Sequence, residues 1–470
     1  MKQAQSAPST ASLMTALLAA CVAFQLNASM LSPVLVTIAR ELQTSDAEVG
    51  MSQTAFFMAA ALFSLFLPRL ADILGRRRVL LGMLLLMLAG SLLAALAPSI
   101  RVLQLARLIQ GVSGPVVPIC LLMLHHQVPE PGRYGLLMGV ITAVNGGIAG
   151  IDAIAGGLLA THFGFRPVFW CIALVAAVAC LLVSRHAPES RPSAGWRMDW
   201  VGVSWLVAAL ACVLAALNLA AGGGRAYDIA GLTALGLLAM VAFLWTEQRS
   251  PHPLLALSIL RQRATWALLL TTVLTMTGLF AIINGLVMSY AQLETGGFAL
   301  PADRASWLLL TPYALVGWLV GPLAGKLAPH WGYGRLLRLG LAGSMLAILL
   351  LMTLGLGSLG WMMAATLLAG IAYAGTANIM LNGLGVLLSP SQAPGLLPGL
   401  NAGAFNLGAG LSFALLPAWL ASASGRDGYF NSMLLGLCIV LLAWLCSLLI
   451  PRPVEAELTE PPLASQHRSG

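Results

Sequence analysis

Leu70-Ala71-Asp72-Ile73-Leu74-Gly75-Arg76-Arg77-Arg78 interrupts two apolar runs, Met51–Leu67 and Val79–Ala97. An aspartate and three consecutive arginines are too costly to leave in hydrocarbon, so the stretch reads as a tight loop at a membrane surface. Gly75 is the residue able to turn with φ > 0. Asp72, near the end of the preceding helix, is placed to accept hydrogen bonds from an arginine or from the free N–H groups of the next helix.

The rest of the chain agrees with a membrane reading. Of 470 residues, 59% are hydrophobic and 9% charged, against about 25% charge in soluble domains. The net charge of +8 comes from arginines dispersed among short loops, which argues against a nucleic-acid surface. All seven cysteines fall inside apolar runs without metal-ligand spacing, and the first run, Leu13–Ile38, is too long for a signal-peptide core. Neither a phosphate-binding loop nor a nucleophile–base pair is present. Adjacent His125 and His126 point to different helix faces. No metal, cofactor or enzymatic activity is expected.

With about 20 apolar residues per span, fourteen candidates run from Leu13–Ile38 to Asn431–Ile450. The charges test the topology. With both termini on one side, that side holds 17 of the 24 Lys and Arg residues. The other holds Arg40, Arg101, Arg166, Arg225, Arg304 and Arg426, while Arg107 lies within a span. The bias places both termini in the cytoplasm. Six helices lead to the polar Arg185–Trp200 connection, two more to Glu247–Arg263, and six close the chain. The domains expected are an N-terminal bundle (1–184), a central linker with two extra helices (185–263), a C-terminal bundle (264–451) and a disordered cytoplasmic tail (452–470). The second half echoes the first, with Gly321–Lys326 standing after its second helix as Pro68–Arg76 does.

The residues between helices 2 and 3 also resemble a known signature. Asp72, Gly75, Arg76 and Arg77 match the loop of major facilitator superfamily transporters: glycine, any residue, leucine, alanine, aspartate, two more, glycine, then basic residues. The opening glycine is Pro68 here. Arg107, Gln110, Gly111 and Gly114 match the fourth-helix signature, whose arginine the family links to proton transfer. The central pair, opening Met198-Asp199-Trp200-Val201-Gly202, resembles the fourteen-helix drug:proton antiporter branch. That resemblance implies an all-α fold of two six-helix halves plus two central helices, alternating access, and a functional monomer. Two departures weaken drug antiport. Gly156 and Gly157 end the fifth-helix signature, but Asp152 and Ala153 occupy its glycine-proline positions. Asn27 stands where the branch carries a helix-1 aspartate.

Two intramembrane charges draw attention, since such groups are usually functional. Helix 5 places Asp152 about 12 Å below the outer surface, and helix 4 places Arg107 about 9 Å below it, at 1.5 Å per residue. An ion pair across adjacent helices is therefore expected, either purely structural or serving proton coupling through a protonatable Asp152. Gln25, Asn27, Asn145, Asn284, Asn378, Asn382 and Asn401 must face protein or a water-filled cavity. Some serve as helix–helix contacts; the remainder, with Tyr373 and Trp266 or Phe280, are candidates for a substrate cavity suited to a neutral polar or weakly cationic solute. The glycines of helix 5 serve close packing and gating.

The reading is a secondary active transporter of a small organic solute in a bacterial inner membrane, with proton-coupled efflux slightly ahead of proton-linked uptake of a polar metabolite.

Overall fold

A computed structural model describes residues 10–128, 130–190, 198–221, 224–250, 257–389, 396–420 and 425–451. Its long helices in chain order are α1 (Thr10–Glu41), α2 (Asp46–Leu74), α3 (Arg76–Ala95), α4 (Ile100–Leu124), α5 (Pro131–Phe163), α6 (Arg166–His186) and α7 (Trp200–Ala221). They continue with α8 (Ala226–Arg249), α9 (Arg263–Gln292), α10 (Ala302–Trp331), α11 (Tyr333–Gly357), α12 (Leu359–Leu387), α13 (Leu396–Leu420) and α14 (Arg426–Ser447). Thirteen are long and apolar enough to cross a membrane; α5 has 33 residues, of which Ile151–Phe163 form a further apolar stretch. The fourteen expected spans are thus present as helices, and no strand occurs among the described residues.

The polar interruption is smaller than expected. Leu70–Leu74 complete α2 and Arg76–Arg78 open α3, so Gly75 alone is the connection. Its φ of +107° and ψ of 132° reverse the chain, and its N–H closes on the Ala71 carbonyl at 3.0 Å. Only glycine adopts this conformation without strain. Arg76 then reaches back one turn to Asp72, with Nη2 and Nε at 2.9 and 3.0 Å from Oδ1. At the far end of α2, Ser45 and Glu48 form a capping box, with Glu48 N–H donating to Ser45 Oγ at 3.3 Å.

The internal repeat holds, but in a different register from the one expected. Gly321–Lys326 lie inside α10, not after it. The counterpart of Gly75 is Gly332, with φ +88°, ψ 129° and its N–H on Ala328 O at 2.9 Å. Leu327-Ala328 thus match Leu70-Ala71, Gly325 matches Pro68, and Pro329 replaces Asp72. The shared backbone turn fixes this alignment, whereas side-chain identity had suggested one four residues off.

Buried residues of α9–α14 form one apolar cluster that also takes in Phe56 and Phe57 of α2 and Ala153 of α5, and most of the others of α1–α6 fall into two more. The central pair α7–α8 leans on the N-terminal bundle, contributing Val203, Leu206 and Phe243 to the cluster that holds Phe66 and Leu67. Its outer face, with Leu237 and Val241 exposed, is apolar as lipid contact requires. The two bundles meet along α2 with α13 and along α5 with α10. Thr54 Oγ1 donates to Gly410 O at 3.1 Å across the first seam. Further links gather at the surface opposite Gly75: Gln292 to Pro33 O at 3.2 Å, Ser32 to Asn284 at 3.3 Å, and Thr161 to Asp303 at 3.1 Å.

The 452–470 tail, His125 and His126 side chains and the Asn145 side chain lie outside the described residues, as do residues 191–197 of the 185–200 connection.

Candidate functional site

Arg107 sits two turns into α4, almost wholly buried and surrounded by oxygens. Nη1 donates to Asn27 Oδ1 at 2.8 Å, Asn27 O at 3.1 Å and Gln110 Oε1 at 2.9 Å; Nη2 donates to Gln53 Oε1 at 2.5 Å. The Phe56 ring lies 4.0 Å beneath the guanidinium carbon, a cation–π contact. Gln110 passes the network on to Ser91 at 2.8 Å. Close approach of α4 to α2 makes this cage possible: a side chain on Gly111 would meet Phe56 O at 2.6 Å, and one on Gly114 would meet Ala60 O at 2.5 Å. Every acceptor around Arg107 is neutral, so its charge is solvated by dipoles rather than paired.

Asp152 occupies the other side of α1. Its Oδ2 makes a short hydrogen bond with Ser29 Oγ, and Gln25 Nε2 donates to the same Oγ at 2.8 Å. Oδ1 is buried without a hydrogen-bond partner. The expected Asp152–Arg107 ion pair does not form: the described ion pairs are Arg76–Asp72, Arg78–Glu189 and Arg166–Glu41. Both residues meet α1 between Asn27 and Ser29, so they lie at similar heights along it. Two helical residues are about 200° apart around the axis, so α1 stands between the charges and presents an amide to one and a hydroxyl to the other.

Gly156 and Gly157 bring α5 against both bundles. A side chain on Gly156 would lie 2.3 Å from Met30 O of α1, and one on Gly157 would lie 2.8 Å from Ala302 O of α10. Asp72, Gly75, Arg76 and Arg77 form a separate centre at the opposite surface. Arg76 Nη1 donates to Leu122 O at 3.0 Å, Arg76 N–H to Ser190 Oγ at 2.9 Å and Arg77 N–H to Glu189 Oε1 at 3.1 Å; Arg77 also bonds Ser184 O. The turn is thereby tied to the ends of α4 and α6.

The polar candidates divide. Asn27 and Asn401 are buried struts: Asn27 binds Arg107, and Asn401 accepts from Thr272 at 2.6 Å. Tyr373 is buried, its hydroxyl 2.7 Å from Met276 Sδ. Asn284 is half-buried at the seam between bundles. Asn378 and Asn382 lie one turn apart, with Asn382 exposed. Three features were not anticipated. Gln53 and Ser29 complete the two charge sites, though nothing in an apolar run marks which amide or hydroxyl faces a charge. Phe57, Phe280 and Phe413 from α2, α9 and α13 pack edge-to-face and stacked at 5.3–6.2 Å, joining the bundles at mid-depth. Wider π-helical turns at Ile282–Leu286 and Gly370–Ala377 carry Asn284 and Tyr373, a geometry frequent at functional sites.

Two helical bundles, the first carrying two buried ionisable residues, are the architecture of a polytopic solute transporter of the secondary type. Comparison with known proteins gives its family. The profile of the Major Facilitator Superfamily matches residues 17–413, and the chain belongs to that superfamily. It is 47% identical over 469 residues to the uridine/deoxyuridine transporter of Lactococcus lactis, covering 97% of this chain and 98% of that one. It is 25% identical to the multidrug resistance protein Stp of Mycobacterium tuberculosis, over 84% of this chain and 73% of that one. Among solved structures, a POT family transporter aligns with a TM-score of 0.69 at 15% identity, over 93% of this chain and 96% of that one, which speaks to the fold. The chain is a transporter and not an enzyme.

Proposed function

We propose that this protein takes up nucleosides of the uridine type into the cell, driven by protons, with Asp152 as the proton-carrying group. The observation that carries this reading is the end-to-end 47% identity to the uridine/deoxyuridine transporter. The chemistry of the interior supports it. A nucleoside is neutral, rich in hydroxyl and carbonyl groups and flat at its base. Amides at Gln25, Asn284, Asn378 and Asn382 offer paired donors and acceptors, and the half-buried Phe280 offers an aromatic face. Asn27 and Asn401 act as struts behind that surface, and Arg107 is a fixed positive charge.

With the arginine-rich Gly75 surface in the cytoplasm, both termini lie inside, and the links through Gln292, Ser32 and Thr161 lie toward the outside. Residues 1–184 and 264–451 rock about the α2–α13 and α5–α10 seams, and 185–263 rides with the first. A monomer in the bacterial inner membrane is sufficient for this cycle. The test is uptake of radiolabelled uridine by bacteria lacking their own nucleoside uptake. Expression should confer uptake that unlabelled deoxyuridine competes away and a protonophore abolishes. No uptake above the empty vector rules the reading out.

Efflux is the second reading, favoured by the similarity to the multidrug resistance protein Stp. It predicts lower retention of a drug in expressing cells and no uridine uptake.

A further inference from the structure

Ser29 is half-buried on α1 between three polar groups. Its Oγ lies 2.9 Å from the Gln25 carbonyl oxygen, accepts from Gln25 Nε2 at 2.8 Å, and bonds Asp152 Oδ2. A hydroxyl carries one proton and cannot donate to both oxygens at once. Two arrangements satisfy the site. With Asp152 protonated, the carboxyl donates to Ser29, Ser29 donates back to the Gln25 carbonyl, and all three positions around Oγ are filled. With Asp152 ionised, Ser29 must turn its proton to the carboxylate. The second carboxylate oxygen, Oδ1, is buried without a partner; an ionised carboxylate in that position demands another donor. The Gln25 amide, already hydrogen-bonded to Ser29 in the same cluster, has a second N–H with which to supply it.

We propose that Ser29 and Gln25 are positioning residues that report the proton on Asp152 to the substrate. With Asp152 protonated, the Gln25 amide keeps one N–H on Ser29 and turns its second N–H and its carbonyl oxygen toward a neutral solute bearing carbonyl and hydroxyl groups; ionisation draws that amide onto the carboxylate. The inference rests on the uptake reading above and names how its proton and solute are linked. By reciprocity, a solute held by Gln25 favours the protonated carboxyl, which makes the two move together. The nearest other charges on the packed helices are Arg107 on α4, which lies across α1 against Asn27, and Asp303 on α10, which packs on Gly157 five residues along α5 and bonds Thr161. No titratable group on α1 faces it within the 25–29 stretch.

The test uses the full chain in liposomes with uridine as probe. Uridine counterflow needs no net proton movement; accumulation under a pH gradient does. Ser29→Ala should keep counterflow and lose accumulation by roughly tenfold, the scale of a missing hydrogen bond to a charged group, with Ser29→Thr restoring it. Gln25→Leu should raise the half-saturating uridine concentration by a similar factor and flatten its pH dependence. Accumulation by Ser29→Ala equal to wild type, or an unchanged pH profile in Gln25→Leu, overturns the proposal while leaving proton-driven uptake standing. If wild type itself ignores the pH gradient, the functional reading fails, and infrared spectroscopy decides the switch separately. A protonated carboxyl band that Asp152→Asn removes and Ser29→Ala shifts supports it; a missing or unshifted band overturns it.

Discussion

Arg107 is a buried cation with no anion beside it. Its stability rests on the amide oxygens of Asn27, Gln53 and Gln110, the Asn27 carbonyl, and the face of Phe56. A planar fork reaches several of these at once, and a lysine ammonium does not. Arg107→Lys should therefore fold but transport poorly, with a fall of roughly tenfold or more from the lost charge-assisted hydrogen bonds, read from uridine counterflow at matched protein amounts. Gln53→Leu removes one acceptor from a buried charge and should lower stability by about 1.5–3 kcal/mol, read from thermal melting in detergent. Unchanged melting in Gln53→Leu would mean that the Gln53 contact contributes nothing. The sequence marks Arg107 and Asp152 because charge is rare in hydrocarbon. It does not mark their partners, since Asn27, Ser29 and Gln53 are ordinary polar residues whose direction depends on helix rotation. Depth along an axis can be counted from residue number, whereas azimuth cannot, and that is why an expected ion pair resolves into two separate sites on opposite faces of α1.

At the scale of elements, the two glycine turns make a matched experiment. Gly75 and Gly332 share a left-handed backbone, but a Cβ on Gly75 would lie 2.4 Å from Glu189 Oε1, while one on Gly332 would meet nothing within 4 Å. Gly332→Ala should cost only the backbone term, about 1–2 kcal/mol. Gly75→Ala should cost more, because Glu189 also caps Arg77 N–H and must move; thermal melting of the two variants compares them directly, and an equal loss would remove the Glu189 contribution. At the α5–α10 seam, Gly157→Leu drives a side chain into Ala302 O and the Asp303 backbone. It should part the bundles at the outer surface and raise thiol labelling of a cysteine placed at Thr161, with Gly157→Ala intermediate. Helices of this kind are readable from hydropathy alone. The repeat register was not, because Pro329 takes the place of Asp72 and only the backbone turn at Gly332 reveals the correspondence.

For the whole molecule, fourteen helices in two bundles joined at α2–α13 and α5–α10 are the architecture of a Major Facilitator Superfamily transporter, for which we propose access to a site between the bundles from one side at a time. The composition and the Gly75 motif were enough to identify the class. Substrate and direction were not encoded in any motif, since an amide-lined interior suits many neutral solutes and the family's signatures serve both import and export. In the uptake we propose, Asp152 carries the proton that drives uridine inward. The most direct test is uridine accumulation in liposomes under an imposed pH gradient, wild type against Asp152→Asn. Wild type should concentrate uridine above equilibrium, and the variant should only equilibrate it. Accumulation by Asp152→Asn equal to wild type, or gradient-independent movement in both, would contradict it.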